Sequence, residues 1–188
     1  MTYDICTVTQ IASLFHDFSS NEYSTGNNNV MSQTPLNKQF KKRSKALILA
    51  SNKPESLTLQ KQLGIKNENT MIDSYEHEIG KKIDQRNDKL LSLSFNVQGK
   101  DIIVYGRIDG FISDGCIVVE HKRRMKGLLN KVPYHECVQC HFYMKMMNSN
   151  ISHLVETFGV HRNVHIIKFD ESIWNDIMMR WFISSDFI

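Results

Sequence analysis

Two acidic residues and a lysine stand beside short apolar segments in the middle of the chain. Asp109 lies in the stretch Tyr-Gly-Arg-Ile-Asp-Gly-Phe, and Glu120 and Lys122 end the stretch Ile-Val-Val-Glu-His-Lys. Carboxylate oxygens are ligands that hard divalent cations such as Mg²⁺ or Mn²⁺ prefer, and a lysine beside them can position or deprotonate a water. These three residues therefore carry the groups needed for metal-assisted hydrolysis of a phosphodiester.

The segments that hold these residues have the pattern of paired strands. Ser113-Asp114-Gly115 lies between them, and the Asp-Gly pair is a strong hairpin signal. Side chains alternate along a strand, so Glu120 and Lys122 share one face, while His121 points away and offers its backbone carbonyl toward the acidic end. Two roles remain open for Lys122: to orient and activate the attacking water, or to neutralise charge on the pentacovalent transition state.

Apolar periodicity predicts an α/β protein with a central mixed sheet of about five strands flanked by helices. The helix pattern in front of the sheet breaks at Gly64, which we interpret as a helix end. A further helix begins near Pro133, and the last helix has a broad apolar face. The predicted helices before the sheet cover 57–63 and 67–83, and the predicted strands cover 90–97, 102–111, 116–121, 154–160 and 164–169.

Length and composition favour one folded domain. The chain has 188 residues, 41% of them hydrophobic, and its net charge of +3 is weak evidence for a nucleic-acid partner. Residues 1–37 are predicted to form an N-terminal helix, over 7–18, followed by a flexible polar linker, and 38–188 form the main domain. Four cysteines at irregular spacing, without a secretory signal, predict a reduced intracellular setting, and no apolar run is long enough for a membrane span.

The motifs resemble those of a known nuclease superfamily. Ile-Asp109-Gly followed by Val-Val-Glu120-His-Lys122 is similar to the PD-(D/E)XK pattern, with Ile-Asp-Gly in place of the Pro-Asp pair. The spacing of Gln139 and Tyr143 is similar to the helix motif of the branch with lambda exonuclease, YqaJ-type viral recombinases and RecB-like nucleases. The strand, acidic turn and helix near the C-terminus resemble the same branch. The resemblance covers about 38–187 and implies a restriction-endonuclease-like core.

Several roles follow from the resemblance. It makes Asp109 and Glu120 metal ligands together with the backbone carbonyl of His121, and Lys122 the residue that positions water. Glu68 becomes an additional acid that reaches the metal directly or through water, whereas the pattern alone favours a solvated acid in the first turn of a helix. Two helix residues, Gln139 and Tyr143, are placed beside the catalytic strand, although the pattern alone places Gln139 on a helix surface.

Basic residues are the candidates for DNA contact. Arg123, Arg124 and Lys126 follow the catalytic strand directly and either grip phosphates or form a solvated loop. The basic run over 38–45 leaves the same two alternatives. Arg43 and Ser51 match only loosely the arginine and serine that bind the terminal 5′-phosphate in lambda-type exonucleases.

The resemblance implies a Mg²⁺- or Mn²⁺-dependent deoxyribonuclease that degrades one strand of duplex DNA from an end, for recombination or replication repair. It also implies a single-strand annealing protein as partner and a homo-oligomer. The location expected is the cytoplasm or nucleus of a cell or a virus-infected host. The alternatives are a structure-specific or nicking endonuclease with the same core, and a non-catalytic DNA-binding domain. The Cys137-x-x-Cys140 pair is interpreted as buried apolar packing, with zinc or redox use as the alternative.

Overall fold

A computed structural model describes residues 3–15 and 59–184 of the chain. The predicted linker, the basic run over 38–45, and Arg43 and Ser51 lie outside these residues. Within them the chain forms seven strands and four helices. In chain order these are β1 (Tyr3–Thr7), α1 (Val8–Leu14), α2 (Leu59–Ile79), β2 (Leu91–Val97), β3 (Lys100–Gly106), β4 (Gly110–Ile112), β5 (Ile117–Arg123), α3 (Tyr134–Met147), β6 (Ile151–Phe158), β7 (His161–Lys168) and α4 (Glu171–Ser184).

The strands form two mixed sheets. The first has the order β1-β3-β2, with β1 parallel and β2 antiparallel to β3. The second has the order β4-β5-β6-β7, in which β5 and β6 are parallel and both outer pairs are antiparallel. The predicted α/β class with mixed sheets and flanking helices is confirmed. The strand content differs from the prediction, because the described residues place seven strands in two sheets.

Helices cover both faces of the second sheet. Val118 of β5 and Leu154 of β6 belong to a buried cluster with residues of α3. Their neighbours Val119 and Val155 belong to a second cluster on the other face, with Ile72 and Tyr75 of α2. Successive side chains of β5 therefore face α3 and α2 in turn, and a polar residue on this strand needs a partner under one of the helices.

The N-terminal segment over 6–15 packs into the same core as the rest of the domain. Thr7 caps α1 through a capping box, in which its hydroxyl accepts from Gln10 N at 3.2 Å and the Gln10 side chain accepts from Thr7 N at 2.7 Å. Val8, Ile11 and Phe15 are buried in the cluster that contains α3. The predicted helix is confirmed over Val8–Leu14, but the strand ahead of it was not predicted. The predicted boundary between 37 and 38 lies outside the described residues.

Helix α2 corrects the prediction that a helix ends at Gly64. One helix runs through Gly64 and ends at Ile79, before Gly80, which has a φ of +62° and donates its N–H to Glu76 O at 3.0 Å. A glycine inside a helix costs only about 1 kcal/mol relative to alanine, so the pattern on either side overrides it. Gly80 instead takes the left-handed conformation that closes a helix, four residues before the predicted end.

The predicted strand over 102–111 is two strands in different sheets. Strand β3 ends at Gly106 in the first sheet, and β4 begins at Gly110 in the second. The connection between them carries Asp109. This residue is thus delivered to the second sheet by the point where the backbone crosses from one sheet to the other.

The segment after α2 holds this crossing in place. Asp84 and Phe111 exchange two backbone hydrogen bonds of 2.8 Å, and Asn87 N donates to Ile108 O at 3.0 Å. Ile83 packs so closely on Gly110 that a Cβ there would lie 2.4 Å from Ile83 Cγ2. Glycine is therefore required after Asp109 by close approach.

Helix α4 closes the first sheet. Trp174 and Trp181 are buried, and Trp181 packs edge-on against Phe95 of β2 and Phe142 of α3. No helix within residues 3–15 and 59–184 has the length and apolar character to cross a membrane.

The Gly110→Ala substitution tests the close approach. We expect it to lower the free energy of unfolding by about 1–3 kcal/mol, because Ile83 and the backbone clamp must move. Because Ile83→Ala removes the opposing methyl group, the double variant should show a favourable interaction of about 0.5–3 kcal/mol in a double-mutant cycle. Urea denaturation of the four proteins gives the cycle, and strictly additive effects would contradict the contact.

Candidate active site

Lys122 is the centre of a closed set of hydrogen bonds between β5 and α3. Its ammonium group donates to Glu120 Oε1 at 2.8 Å and to Gln139 Oε1 at 2.9 Å. The amide nitrogen of Gln139 donates to the same Glu120 oxygen at 2.8 Å. The two ends of the Gln139 amide thus bind Glu120 and Lys122 together. Gln139 lies beside β5, where the motif resemblance places it.

This triangle lies inside the protein. Glu120 is 3% exposed and Gln139 is 7% exposed. Tyr143 lies behind them, where its hydroxyl accepts from Gln139 Nε2 at 3.3 Å. Burial, and the nearby Glu120 carboxylate, raise the pKa of the Tyr143 phenol, so the group stays neutral. Gly106 makes room for this ring, because a Cβ there would lie 2.6 Å from Tyr143 Cε1.

The surroundings of Lys122 keep it charged. Burial alone would lower the pKa of the ammonium group, but Glu120 attracts and hydrogen-bonds it, and Asp109 adds to the attraction. The net effect raises the pKa of Lys122 above its usual value. Lys122 therefore carries a full positive charge at neutral pH.

Asp109 reaches the same end of β5 from the crossing between the sheets. Its carboxylate accepts a hydrogen bond from the backbone N–H of His121 at 2.7 Å. It therefore lies against the peptide group that joins Glu120 to His121. The structure thus brings Asp109 to the end of β5 that carries Glu120 and Lys122. The N–H and C=O of one residue in a strand point to the same side, so the His121 carbonyl faces the side where Asp109 lies.

The oxygen atoms at this end suit a hard cation. Asp109 and Glu120 supply carboxylates and His121 a carbonyl, with no nitrogen or sulfur donor in the set. Within the described ranges no group of three or more His, Cys, Asp or Glu side chains gathers as a metal site. Glu68, the additional acid expected from the sequence, lies in α2 one turn before Ile72, and its side chain lies outside the described residues.

The His121 side chain lies on the opposite face of the sheet, as the alternation predicts. Its Nε2 is 2.9 Å from the Thr157 hydroxyl oxygen. Burial, with the positive charges of Lys122 and Arg162, lowers the pKa of this imidazole to about 4. His121 is therefore neutral at pH 7 and takes no part in the triangle.

The structure does not support the expected phosphate contact of Arg124. Its guanidinium group donates to both oxygens of Glu136 at 2.6 Å, and its Nε donates to Glu156 at 2.7 Å. The arginine side chain is 15% exposed. Each of its three nitrogens donates to a carboxylate inside the protein, so the guanidinium group is held away from a DNA backbone.

The other predicted contacts divide by exposure. Arg123 and Lys126 are exposed beside the end of β5, and their contact with DNA stays a prediction. Tyr143 is 3% exposed and touches Gln139, so its place is behind the site and not on a DNA-facing surface. Glu136, which sequence reasoning missed, lies one turn before Gln139 on the same helix face.

The cysteines support the packing interpretation. Cys137 and Cys140 are not joined in a disulfide, and Cys140 is fully buried. Burial raises the pKa of the Cys137 thiol to about 12, which leaves little thiolate for metal or redox chemistry at neutral pH.

Solved structures of two exonucleases share this fold. A phage-related exonuclease from Haemophilus somnus 129PT matches with a TM-score of 0.62 at 11% sequence identity, covering 97% of this chain and 92% of that one. An alkaline exonuclease, LHK-Exo, from Laribacter hongkongensis matches with a TM-score of 0.57 at 13% identity, covering 98% and 86%. LHK-Exo in complex with dAMP matches with 0.58 at 14% identity, covering 97% and 85%.

No protein-family model and no curated protein matches the sequence. The likeness to exonucleases predicted from the motifs is confirmed at the level of the fold.

Lys122→Met tests whether the triangle compensates a buried charge. We expect the free energy of unfolding at pH 7 to fall by roughly 3 kcal/mol, because Glu120 keeps its charge without its cation. Adding Glu120→Gln should restore much of the loss. The matched control is Lys81→Met, which removes an exposed pair with Asp114 and should change stability by less than about 1 kcal/mol. Equal effects of the two lysine substitutions in urea denaturation would contradict the burial of the charge.

His121 predicts a loss of stability in mild acid. Its pKa is about 4 in the folded protein and about 6.5 when unfolded, so only the unfolded chain gains this proton between those values. The contribution of the neutral imidazole to the free energy of unfolding is fully present above pH 6.5. It falls as the pH drops toward 4, by up to about 1.4 kcal/mol per pH unit. In His121→Gln this contribution is absent, so the stability curves of the two proteins should converge on acidification. Parallel curves between pH 7 and 4 would argue against a buried neutral imidazole.

Proposed function

We propose that this chain is a divalent-metal-dependent deoxyribonuclease that degrades duplex DNA from an end. The observation that carries the proposal is the Lys122–Glu120–Gln139 triangle with the Asp109 carboxylate beside it. The fold shared with two exonucleases supports the same reaction class. Metal-dependent phosphodiester hydrolysis uses carboxylates to bind the ion and a positive charge near the phosphate, and residues of both kinds lie at this end of β5.

Asp109 and Glu120 would hold Mg²⁺ or Mn²⁺, together with the His121 carbonyl and with Glu68 as a further acid. Mg²⁺ in such sites is bound through one or two protein carboxylates, with water and substrate phosphate in the remaining positions, which suits the small donor set. When bound, the ion would polarise the scissile phosphate and favour ionisation of a coordinated water.

The protein's own groups supply charge and orientation. The Lys122 ammonium group acts as a hydrogen-bond donor to Glu120 and Gln139, so proton abstraction from the attacking water is not the role we assign to it. We assign it the placement of water and the neutralisation of charge that develops on the phosphate. Gln139 fixes the Lys122 ammonium group relative to Glu120, so the positive charge is in place before substrate binds.

DNA would be held by the exposed basic residues after β5. Arg123 and Lys126 are the candidates for phosphate contact, and Arg43 and Ser51 are the candidates for a terminal 5′-phosphate. A single-strand annealing protein as partner, a homo-oligomer and a role in recombination or replication are further parts of the proposal that rest on the motif resemblance.

One digestion experiment tests the reaction and its substrate. Purified protein is mixed with end-labelled linear duplex carrying 5′-phosphate or 5′-hydroxyl, and with covalently closed circular DNA, with and without Mg²⁺. We expect Mg²⁺-dependent loss of the linear substrates and survival of the circle. Cutting of the circle would favour a nicking or structure-specific endonuclease, and binding without cleavage would favour a non-catalytic domain.

Substitutions then connect cleavage to the site. Lys122→Ala and Asp109→Asn should each lower the cleavage rate by about 10²-fold or more, since each removes electrostatic stabilisation of the reacting groups. DNA binding measured by fluorescence anisotropy should change little. Lys81→Ala, at an exposed pair on the far side of the hairpin, serves as the control and should cleave at the wild-type rate. Full activity of Lys122→Ala would refute the assignment.

A further inference from the structure

Two charged residues of β5, and Arg124 directly after the strand, point toward α3 in succession. Glu120, Lys122 and Arg124 alternate with residues that face the other side of the sheet. On α3, Gln139 meets the first two, and Glu136, one turn earlier, meets Arg124. The ion pair of Arg124 and Glu136 therefore lies next to the candidate active site, in the same contact with α3.

A second buried carboxylate reaches Arg124 from the neighbouring strand. Glu156 of β6 is the register partner of Lys122 and is fully buried. Its carboxylate accepts from Arg124 Nε at 2.7 Å, from Leu129 N at 3.1 Å, and lies 3.2 Å from His165 Nε2. Parallel register partners point to the same face, so Glu156 and Lys122 occupy adjacent positions under α3.

Besides Asp109, three carboxylates lie in the surroundings of Lys122. Glu120 holds the ammonium group, while Glu136 is close enough to contribute to the raised pKa of Lys122. Glu156 stands beside Lys122 in the sheet register. Arg124 binds both Glu136 and Glu156. Its contact with Glu136 is bidentate, a geometry that a lysine cannot reproduce. Without the guanidinium group, two buried carboxylates would lack their main cation within reach of a flexible lysine.

We propose that Arg124 is a positioning residue, which occupies Glu136 and Glu156 and so keeps the Lys122 ammonium group on Glu120 and Gln139. The inference rests on the proposed nuclease function for its effect on rate, and on the ion pairs alone for its effect on Lys122. In the absence of the guanidinium group, Lys122 turns from Glu120 toward Glu136. The positive charge is then displaced from the edge where Asp109 lies.

The kinetic test uses Arg124→Gln and the double variant Arg124→Gln/Glu136→Gln on linear duplex with Mg²⁺. The single substitution should lower kcat by about 10²-fold, as expected when a group near the reaction is misplaced by about 1 Å. KM for DNA should stay within about twofold, since substrate is bound elsewhere. In the double variant the carboxylate toward which Lys122 turns, that of Glu136, is gone, and kcat should recover at least about tenfold.

Arg162→Gln is the matched control. Arg162 has the same 15% exposure as Arg124 and pairs with Glu78, but on the face of the sheet that α2 covers. We expect it to lose stability without losing kcat per folded molecule. If Arg124→Gln behaves like this control, Arg124 is merely structural and the proposal is wrong. If KM rises and the double variant does not recover, Arg124 contacts DNA and the proposal is also wrong.

Two additions keep the test decisive. Arg124→Lys retains a cation for Glu136, so it remains informative if Arg124→Gln does not fold, and its kcat should fall by less than about tenfold.

The Lys122 ammonium signal, assigned by its absence in Lys122→Met, is followed by NMR of ¹⁵N-lysine-labelled protein without DNA. It should shift in Arg124→Gln and return in the double variant, and an unchanged signal would overturn the proposal. This readout stands even if the wild-type chain fails to cleave DNA, which would refute the proposed function alone.

Discussion

The structure depends on keeping a carboxylate charged inside the protein. Glu120 is almost fully buried, and an isolated buried charge would cost several kcal/mol or be neutralised. Lys122 and Gln139 compensate it together, one by charge and both by hydrogen bonds to the same oxygen. Helix α3 is consequently more than an apolar cover for the sheet. It supplies the amide that holds an acid and a base side by side inside the protein.

The second requirement is that another carboxylate arrives at the same end of β5 by a different route. Asp109 comes from the crossing between the two sheets, where no regular strand pairing fixes its position. The backbone bonds between Asp84 and Phe111, and the close contact of Ile83 with Gly110, fix it instead. The segment after α2 thus determines the position of the Asp109 backbone, and with it the direction of the carboxylate. A rigid backbone on both sides of the residue is what a site of fixed geometry requires.

The sequence predicted the parts that depend on local pattern. The Asp-Gly turn predicted the antiparallel pairing of β4 and β5, and the alternation along β5 predicted that Glu120 and Lys122 share one face. Gln139 needed the motif resemblance, because an amide on a helix has no periodicity that distinguishes a surface position from a buried one. Gly64 was misjudged because neighbouring packing overrides its small local cost.

Other features depended on contacts between distant segments. Strand β1 forms through pairing with β3, about one hundred residues away, and short strands of this kind carry little signal of their own. Arg124 was assigned to DNA because it stands in a basic run, and only the tertiary structure reveals Glu136 and Glu156 around it. The positive charge of Arg124 compensates these two carboxylates, which would otherwise attract the Lys122 ammonium group. The spacing of Glu136 and Gln139 was a usable signal, since residues three apart on a helix face the same strand. A run of alternating charges on a strand covered on both sides therefore implies a matching run of polar residues on the covering helix.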